Sequence, residues 1–307
     1  MTEKQFIEER HFDSIEALFD TLAPWKKEIN LAGYVFRGHA QEDWSLVPVA
    51  LREPDVFWGQ KLIIQGKPEK NKQNWTFFHH PAEYKLIREF YRLADRNGLD
   101  VPLSNKVRKN LEMDWDSTEG RDLYKFEKWL PEDLYEAAAL AQHHGIPTRL
   151  LDWSYDIFVA IYFALQVPKN LNLKGNIKVW CLNKEYISSQ QIIANHKQLE
   201  FITPHYSSNR NINGQQGLFT LWSGQIRPHV FSENKALPTG EEVDRTPLDQ
   251  LIIQNIDEKK HTTNILKALT LPASEAEKGL ELLEKMGYGS ARIFPGLQGV
   301  ANQILGK

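Results

Sequence analysis

Two short segments of the chain place side chains that suit an anionic ligand next to backbone turns. The first is Arg37-Gly38-His39, which follows the strand-like run Tyr34-Val35-Phe36. Arginine presents a planar fork of N–H donors that binds a phosphate bidentately, so Arg37 is the candidate cation of a phosphate site. Gly38 would let a ligand approach the backbone closely. The alternative for Arg37 is a structural ion pair that braces the end of the strand.

The second segment is Asp152-Trp153-Ser154, which precedes the almost wholly apolar residues 155–166. The pattern predicts a strand that runs into the N-terminus of a buried helix. Unpaired N–H groups and the positive dipole end at such a junction suit a phosphate or a carboxamide oxygen. Asp and Ser are also the usual N-caps, so both roles stay open for Asp152 and Ser154. Trp153 is either part of the core or a wall of a ligand site.

Histidines beside both segments add candidates for proton transfer. His143 with Asp152 forms a potential acid/base pair, and His39 adjoins the Arg-Gly turn. Adjacent His143 and His144 point in different directions and chelate poorly, so no metal is expected. The single cysteine, Cys181, excludes an intramolecular disulfide and a cysteine-ligated zinc site. Because it lies in an apolar stretch, it is interpreted as inert core.

Composition narrows the class of protein. The 307 residues carry 37 Lys and Arg against 40 Asp and Glu, a net charge of −3, which excludes nucleic-acid binding by bulk charge. The longest apolar stretch, residues 157–165, is far below the roughly 18 residues of a membrane span. The first residues lack a signal-peptide pattern, which favours a cytoplasmic location.

Helical and strand-like patterns alternate without a βαβ rhythm, which favours an α+β fold. Neither a GxGxxG nor a P-loop pattern is present. The helices predicted from apolar periodicity are 12–29, 83–97, 131–144, 155–166, 261–269 and 275–286, the last with a Ser274–Glu277 capping box. The predicted strands are 34–36, 148–154, 176–182, 218–222 and 251–254, and residues 201–217 are predicted to form a loop.

Four motifs resemble the FRG domain family. They are Phe36-Arg37-Gly38, the HxGxPTxLLDWS pattern of residues 143–154, RNINGQQGLF at residues 210–219, and IFPGLQG at residues 293–299. In the last, Gly296 stands where the family pattern has Asp. The resemblance implies one FRG-type domain over residues 31–307, with an inserted region at about 51–128 and a helical C-terminal part at about 246–307. Residues 1–30 are expected to form an N-terminal helix packed on this core.

A more distant resemblance is to the arginine-type ADP-ribosyltransferases. Arg37-Gly38 is similar to their first core strand, and Asp152-Trp153-Ser154 followed by AIYFA at residues 160–164 is similar to their Ser-Thr-Ser turn and Ala-x-x-Phe-Ala helix. The resemblance implies a mixed sheet core with surrounding helices and a nucleotide cleft. NAD is the implied ligand and candidate substrate, and a protein or a nucleic acid is the candidate acceptor.

Cleavage of the nicotinamide–ribose bond would divide three tasks among the residues of that cleft. Arg37 would hold the pyrophosphate, Ser154 would orient the ribose, and an anion would stabilise the sugar cation. Gln216 stands where the transferases have Glu, so Asp152 is the candidate anion. Gly38, His39 and Trp153 complete the expected contacts to the nucleotide.

Three functions follow from these residues. The first is NAD binding with cleavage or ADP-ribose transfer, as in a bacterial toxin or a phage-defence effector. The second is a non-catalytic module that binds a nucleotide or a protein on the same fold, favoured by Gln216 in place of a carboxylate. The third is a hydrolase or nuclease in which His143 and Asp152 act as acid and base.

Overall fold

A mixed seven-stranded sheet forms the centre of the molecule. The computed structural model describes residues 6–52, 76–102, 105–112, 129–166, 175–190, 199–223, 242–256 and 265–306. The strands are β1 (Ile7–His11), β2 (Tyr34–His39), β3 (Leu151–Ser154), β4 (Asn176–Asn183), β5 (Leu199–Ile202), β6 (Gly217–Trp222) and β7 (Leu266–Pro272). Their order is β1-β7-β4-β2-β3-β6-β5, and every pair is antiparallel except β1 with β7.

Twelve α-helices in the described residues surround the sheet. They are α1 (Ile15–Leu22), α2 (Val49–Arg52), α3 (Thr76–Arg96), α4 (Asn105–Glu112), α5 (Tyr135–His143), α6 (Ile157–Leu165), α7 (Lys184–Gln190), α8 (Arg210–Gly214), α9 (Leu248–Asn255), α10 (Ala276–Lys285), α11 (Ser290–Ile293) and α12 (Leu297–Leu305). The architecture is therefore α+β, as the sequence predicts. No described helix has both the length and the apolarity to cross a membrane.

The two faces of the sheet bury separate apolar cores, because successive side chains of a strand point to opposite faces. Val35 of β2 packs into one core with Trp153, and the next residue, Phe36, packs into the other with Ala160. The first core includes α9, and the second includes α1, α6 and α10. A third core joins α3 and α5 to Phe219 and Leu221 of β6.

Helix α6 is fixed against the sheet at Gly38. A Cβ atom at Gly38 would lie 2.0 Å from the carbonyl oxygen of Ala160 and 2.6 Å from the backbone nitrogen of Ala164. Only glycine permits this approach, so the contact sets the distance between β2 and α6. Asp156 begins α6, since its carboxylate accepts from the Phe158 N–H at 2.9 Å.

Several elements differ from the sequence prediction. Residues 251–254, predicted as a strand, belong to α9, where Leu248, Leu251 and Ile252 are buried at helical spacing. The predicted helix 261–269 is wrong over its described part, because β7 begins at Leu266. Leu, Ala and Lys favour a helix locally, but pairing with β1 on one side and β4 on the other overrides that preference.

The sequence prediction also lacks the first strand and misplaces the end of the first helix. β1 occupies residues before the predicted first helix, and α1 itself ends at Leu22, before Pro24. The predicted loop over residues 201–217 contains the end of β5 and helix α8. The predicted cap of α10 is wrong as well, since Glu275 is its N-cap and accepts instead from the Ile15 N–H at 3.1 Å. Much of the predicted insertion, including residues 53–75 and 113–128, lies outside the described residues.

Candidate functional site

A cavity of about 390 Å³ opens between β2 and β3, two neighbours in the middle of the sheet. Only one residue pair, Phe36 with Ser154, joins these strands in the described register. The cavity lies beside the strand segments around that pair. Its lining residues are Phe36, Arg37, Gly38, Val49, Gln142, His143, Gly145, Ile146, Asp152, Trp153, Ser154, Val159, Ala160, Phe163 and Gln215.

The cleft brings together most of the residues that the sequence singles out. Arg37 and Gly38 come from β2, His143 from the end of α5, and Asp152, Trp153 and Ser154 from β3. His39 lies directly behind Arg37 and outside the lining. Gln216 also lies outside it, and Gln215 takes the place predicted for Gln216.

Backbone geometry explains why Gln215, and not Gln216, faces the cavity. Gln216 adopts a φ of +46°, an uncommon conformation for a residue with a side chain, and its side chain is exposed. Its carbonyl accepts from the Tyr155 N–H at 3.0 Å, which fixes the loop against the start of α6. Gln215 faces the cleft, and its Nε2 donates to the carbonyl of Ile293 at 3.3 Å. The motif at residues 293–299 thus supports the cleft from behind.

The guanidinium of Arg37 is held at two of its three nitrogens. Its Nη1 donates to the carbonyl of Asp152 at 2.7 Å and lies 3.5 Å from the Asp152 carboxylate, and its Nε donates to His39 at 3.1 Å. The side chain is 15% exposed, and burial lowers the pKa of Arg37. Arginine stays charged in proteins despite such a shift. Nη2 has no hydrogen-bond partner within the described ranges.

The partners of His39 fix its protonation state. Arg37 Nε is only a donor and the Trp44 carbonyl is only an acceptor, so His39 must accept at Nε2 and donate from Nδ1, at 3.1 Å to each. That arrangement is a neutral imidazole. Burial, with the charge of Arg37, lowers the pKa of His39 to about 3, so it stays neutral near pH 7. His39 therefore positions Arg37.

Asp152 is the cleft's carboxylate and is held by a directed chain of hydrogen bonds. Thr148 donates its hydroxyl proton to Gln142 Oε1, and Gln142 Nε2 then donates to Asp152 Oδ1 at 2.8 Å. Because the carboxylate only accepts, the amide of Gln142 has one possible orientation. The Asp152 side chain remains 59% exposed. These hydrogen bonds orient the Asp152 carboxylate and leave it accessible to a ligand.

The Ser154 hydroxyl forms its hydrogen bonds with backbone groups around the cleft. Its hydroxyl donates to the carbonyl of Gln215 at 2.7 Å and accepts from the Asp156 N–H at 2.9 Å. The proton that would orient a ribose is thus used to hold Gln215 against the N-terminus of α6. Ser154 lines the cleft, but its contacts are those of a positioning residue.

His143 is neutral and tethered. Its Nε2 lies 3.0 Å from Nδ2 of Asn211, an amide nitrogen that can only donate, so Nε2 accepts. Burial is the main cause of a lowered pKa at His143. No hydrogen bond joins His143 to Asp152 among the described residues. Both residues line the same cavity, and their roles as acid and base stay a prediction.

Trp153 and Cys181 belong mainly to the core. Trp153 is 3% exposed, and its indole N–H donates to Thr220 Oγ1 at 2.9 Å, although the residue also contributes to the cavity lining. Cys181 is fully buried, and burial raises the pKa of its thiol, which favours the unreactive protonated form. The described residues contain no group of three or more His, Cys, Asp or Glu that could bind a metal ion.

The sequence interpretation missed two kinds of residue. Three uncharged amides position groups of the cleft: Gln142 contacts Asp152, Asn211 contacts His143, and Gln215 donates to the Ile293 carbonyl. Their only signal is a position inside or next to the motifs. The second kind is an ion pair inside the second motif, in which Arg149 pairs with Glu83 of α3 at 2.8 Å. Its residue type indicates an ion pair, but the carboxylate 66 positions earlier could not be identified without the fold.

Comparison with known proteins gives one match. The family model of the FRG domain matches residues 32–172, a range that contains β2, β3 and α6 with Arg37 and Asp152. An FRG domain is thus present in the chain. No curated protein and no solved structure matches the chain significantly. The likeness to ADP-ribosyltransferases therefore stays a prediction.

Proposed function

We propose that this chain, in which an FRG domain spans residues 32–172, binds an NAD-like nucleotide in the cleft between β2 and β3. The observation that carries the proposal is the guanidinium of Arg37. It is anchored at Nε and Nη1 by His39 and Asp152, and Nη2 has no partner among the described residues. An anchored arginine at the wall of a cleft suits a pyrophosphate, because little side-chain entropy is lost when the ligand binds.

Asp152 gives the same cleft a role in cleaving the nicotinamide–ribose bond. In that reaction the bond from ribose C1′ to the nicotinamide nitrogen breaks and its electron pair stays on nicotinamide, which leaves neutral. Water or an acceptor hydroxyl forms a bond to C1′ and releases its proton to solvent. An oriented carboxylate beside C1′ stabilises the positive charge that develops on the sugar. Gln142 and Arg37 fix the orientation of Asp152 before any ligand arrives.

The remaining groups position these two residues. Ser154 fixes Gln215, His39 fixes Arg37, and neutral His143 offers a hydrogen bond to a carboxamide or a hydroxyl. A cavity of about 390 Å³ lies within the usual range of about 300–1,000 Å³ for small-molecule sites.

Calorimetric titration of NAD, together with an assay for nicotinamide release, tests this proposal. Arg37→Gln is expected to weaken NAD binding by about tenfold or more, because a charge-assisted hydrogen bond contributes about 1.5–3 kcal/mol. Asp152→Asn is expected to keep binding within a few-fold and to lower the rate of nicotinamide release. Arg10→Gln and Asp20→Asn, which change solvent-accessible charged groups outside the cavity lining, are the matched controls. Equal NAD affinity in the wild type and Arg37→Gln would refute the assignment.

A non-catalytic binding module is the second candidate. It is favoured by the partners of Asp152, because Gln142 and Arg37 offset part of the negative charge that catalysis would use. In this case NAD binds in an Arg37-dependent manner, no nicotinamide is released, and Asp152→Asn changes neither result.

A further inference from the structure

A second cavity, of about 410 Å³, borders helix α2 next to the first. Val49 of α2 lines the first cavity, whereas Leu51 and Arg52 of the same helix line the second. The described residues that line the second cavity are Trp44, Ser45, Val47, Leu51, Arg52 and Arg245. The four-residue helix α2 therefore borders two cavities of similar size.

Among the described residues, the lining of the second cavity carries two arginines and no carboxylate. Arg52 Nε donates to the carbonyl of Val47 at 2.8 Å, and Arg245 donates to the carbonyl of Leu51. These contacts anchor both guanidiniums to the backbone. Glu242 offsets part of the charge of Arg245, whereas no ion pair involves Arg52 within the described part of the chain. The space therefore favours an anion.

Trp44 gives the same space an aromatic wall. Its indole is 41% exposed, yet the ring is fixed, because Nε1 donates to Gln41 Oε1 at 2.8 Å and the ring packs edge-on against His39. A fixed and accessible indole next to guanidiniums is a suitable surface on which a nucleobase stacks.

His39 connects this wall to the first cavity. Its Nδ1 donates to the Trp44 carbonyl and its Nε2 accepts from Arg37, so one rigid imidazole sets the positions of both groups. Arg52 also interacts electrostatically with Arg37 and with Asp152, which places its charge near the boundary of the two cavities.

We propose that the second cavity is a nucleoside-phosphate subsite in which the base stacks on Trp44 and Arg52 and Arg245 bind the phosphate. This inference deepens and rests on the nucleotide-binding function proposed above. One dinucleotide occupies both cavities, with its nicotinamide half in the first and its second nucleotide in the second. Arg37 and Arg52 then contact the pyrophosphate between them.

Calorimetric titrations of the full chain with AMP, nicotinamide mononucleotide and NAD test the subsite. Arg52→Gln and Trp44→Leu are each expected to weaken AMP and NAD binding by about tenfold and to leave nicotinamide mononucleotide within about twofold. Trp44→Phe, which keeps an aromatic face, is expected to retain AMP binding within about threefold. Arg10→Gln is the charge-matched control, and thermal melting verifies that each variant is folded.

The results separate this inference from the proposed function. Unchanged AMP affinity in both Arg52→Gln and Trp44→Leu overturns the subsite. NAD binding that depends on Arg37 but on neither Arg52 nor Trp44 also overturns it, and leaves the proposed function intact. AMP binding that depends on Arg52 and Trp44, with NAD indifferent to Arg37, supports the subsite while the proposed function fails.

Discussion

Two arginines of the matched motifs form ion pairs with carboxylates, and the two pairs differ in every physical respect. Arg149 and Glu83 lie 2.8 Å apart, and both side chains are almost fully buried. Arg37 and Asp152 lie 3.5 Å apart, and the Asp152 side chain is 59% exposed. An arginine–carboxylate pair therefore occurs here in two forms: the closed pair, Arg149 with Glu83, binds α3 to the core, and the open pair, Arg37 with Asp152, leaves its carboxylate accessible to solvent.

The surroundings of the two pairs agree with this division. Glu83 accepts from Arg149 and from His79, with its charge compensated inside the protein, so the Glu83 pKa falls to about 2 although burial alone would raise it. Asp152 is held by an amide and a guanidinium while solvent still reaches it. The partners of Glu83 satisfy its carboxylate inside the protein, which is typical of a structural role, whereas the orientation and exposure of Asp152 support the ligand site proposed above.

The largest expected effect is on the closed pair. Arg149→Met is expected to lower the free energy of unfolding by about 3–5 kcal/mol, because Glu83 is left as an uncompensated buried charge. The double variant Glu83→Gln/Arg149→Met is expected to recover a large part of that loss. Urea denaturation followed by tryptophan fluorescence measures both. A loss below 1 kcal/mol in Arg149→Met would contradict the distinction between the pairs.

The next effect concerns the wall of the cleft. Gly38→Ala places a methyl group 2.0 Å from the Ala160 carbonyl oxygen, so α6 must move away from β2. Overpacking of this kind costs about 1–3 kcal/mol. Denaturant titration gives the stability, and NAD titration gives the effect on the cleft. Gly98→Ala, at a position with open space, is a control for added volume, with its positive φ of +66° contributing backbone strain of its own.

Acid is expected to lower the free energy of unfolding in two stages. Burial lowers the pKa of His80 to about 4 and that of His39 to about 3, each from an ordinary 6.5, so the unfolded chain takes up these protons first and stability falls as the pH drops from about 6.5 towards 3. The Glu83 pKa is about 2 against an ordinary 4.5, so its stabilisation is present above pH 4.5 and is lost as the pH falls towards 2. Stability curves from pH 7 to 2 measure both stages, and Glu83→Gln is expected to remove the second. A second stage of equal size in Glu83→Gln would assign it to other carboxylates.

The sequence predicts the cleft better than it predicts the sheet. Arg37, His143, Asp152 and Ser154 belong to compact motifs, and local spacing places them at a strand end, a helix end and a strand–helix junction. Gln216 differs because a single residue with positive φ turns it outward and leaves Gln215 facing the cavity. Such a reversal leaves no mark in residue type or spacing.

Long-range pairing explains the misassigned elements. β1 and β7 pair in parallel although they lie about 260 positions apart, and neither segment has a strongly alternating pattern. β7 lies inside the sheet between β1 and β4, and a strand buried on both faces has a sequence that resembles a buried helix. β1 is the edge strand beside it, and its pairing with β7 is a contact that local sequence does not encode. Glu83 and Arg149 illustrate the same limit for charges, because only the fold brings α3 to β3.

The smallest effect is expected for the open pair itself. Asp152→Asn removes a carboxylate that is mostly exposed and 3.5 Å from Arg37, and asparagine keeps an acceptor for Gln142. Exposed pairs contribute about 0–1 kcal/mol, so the change in unfolding free energy should stay within that range. Denaturation beside Asp20→Asn, whose carboxylate is similarly exposed at 60%, provides the comparison. A loss as large as that of Arg149→Met would make Asp152 part of the scaffold, and a near-neutral result leaves its orientation by Gln142 and Thr148 to be explained by a ligand.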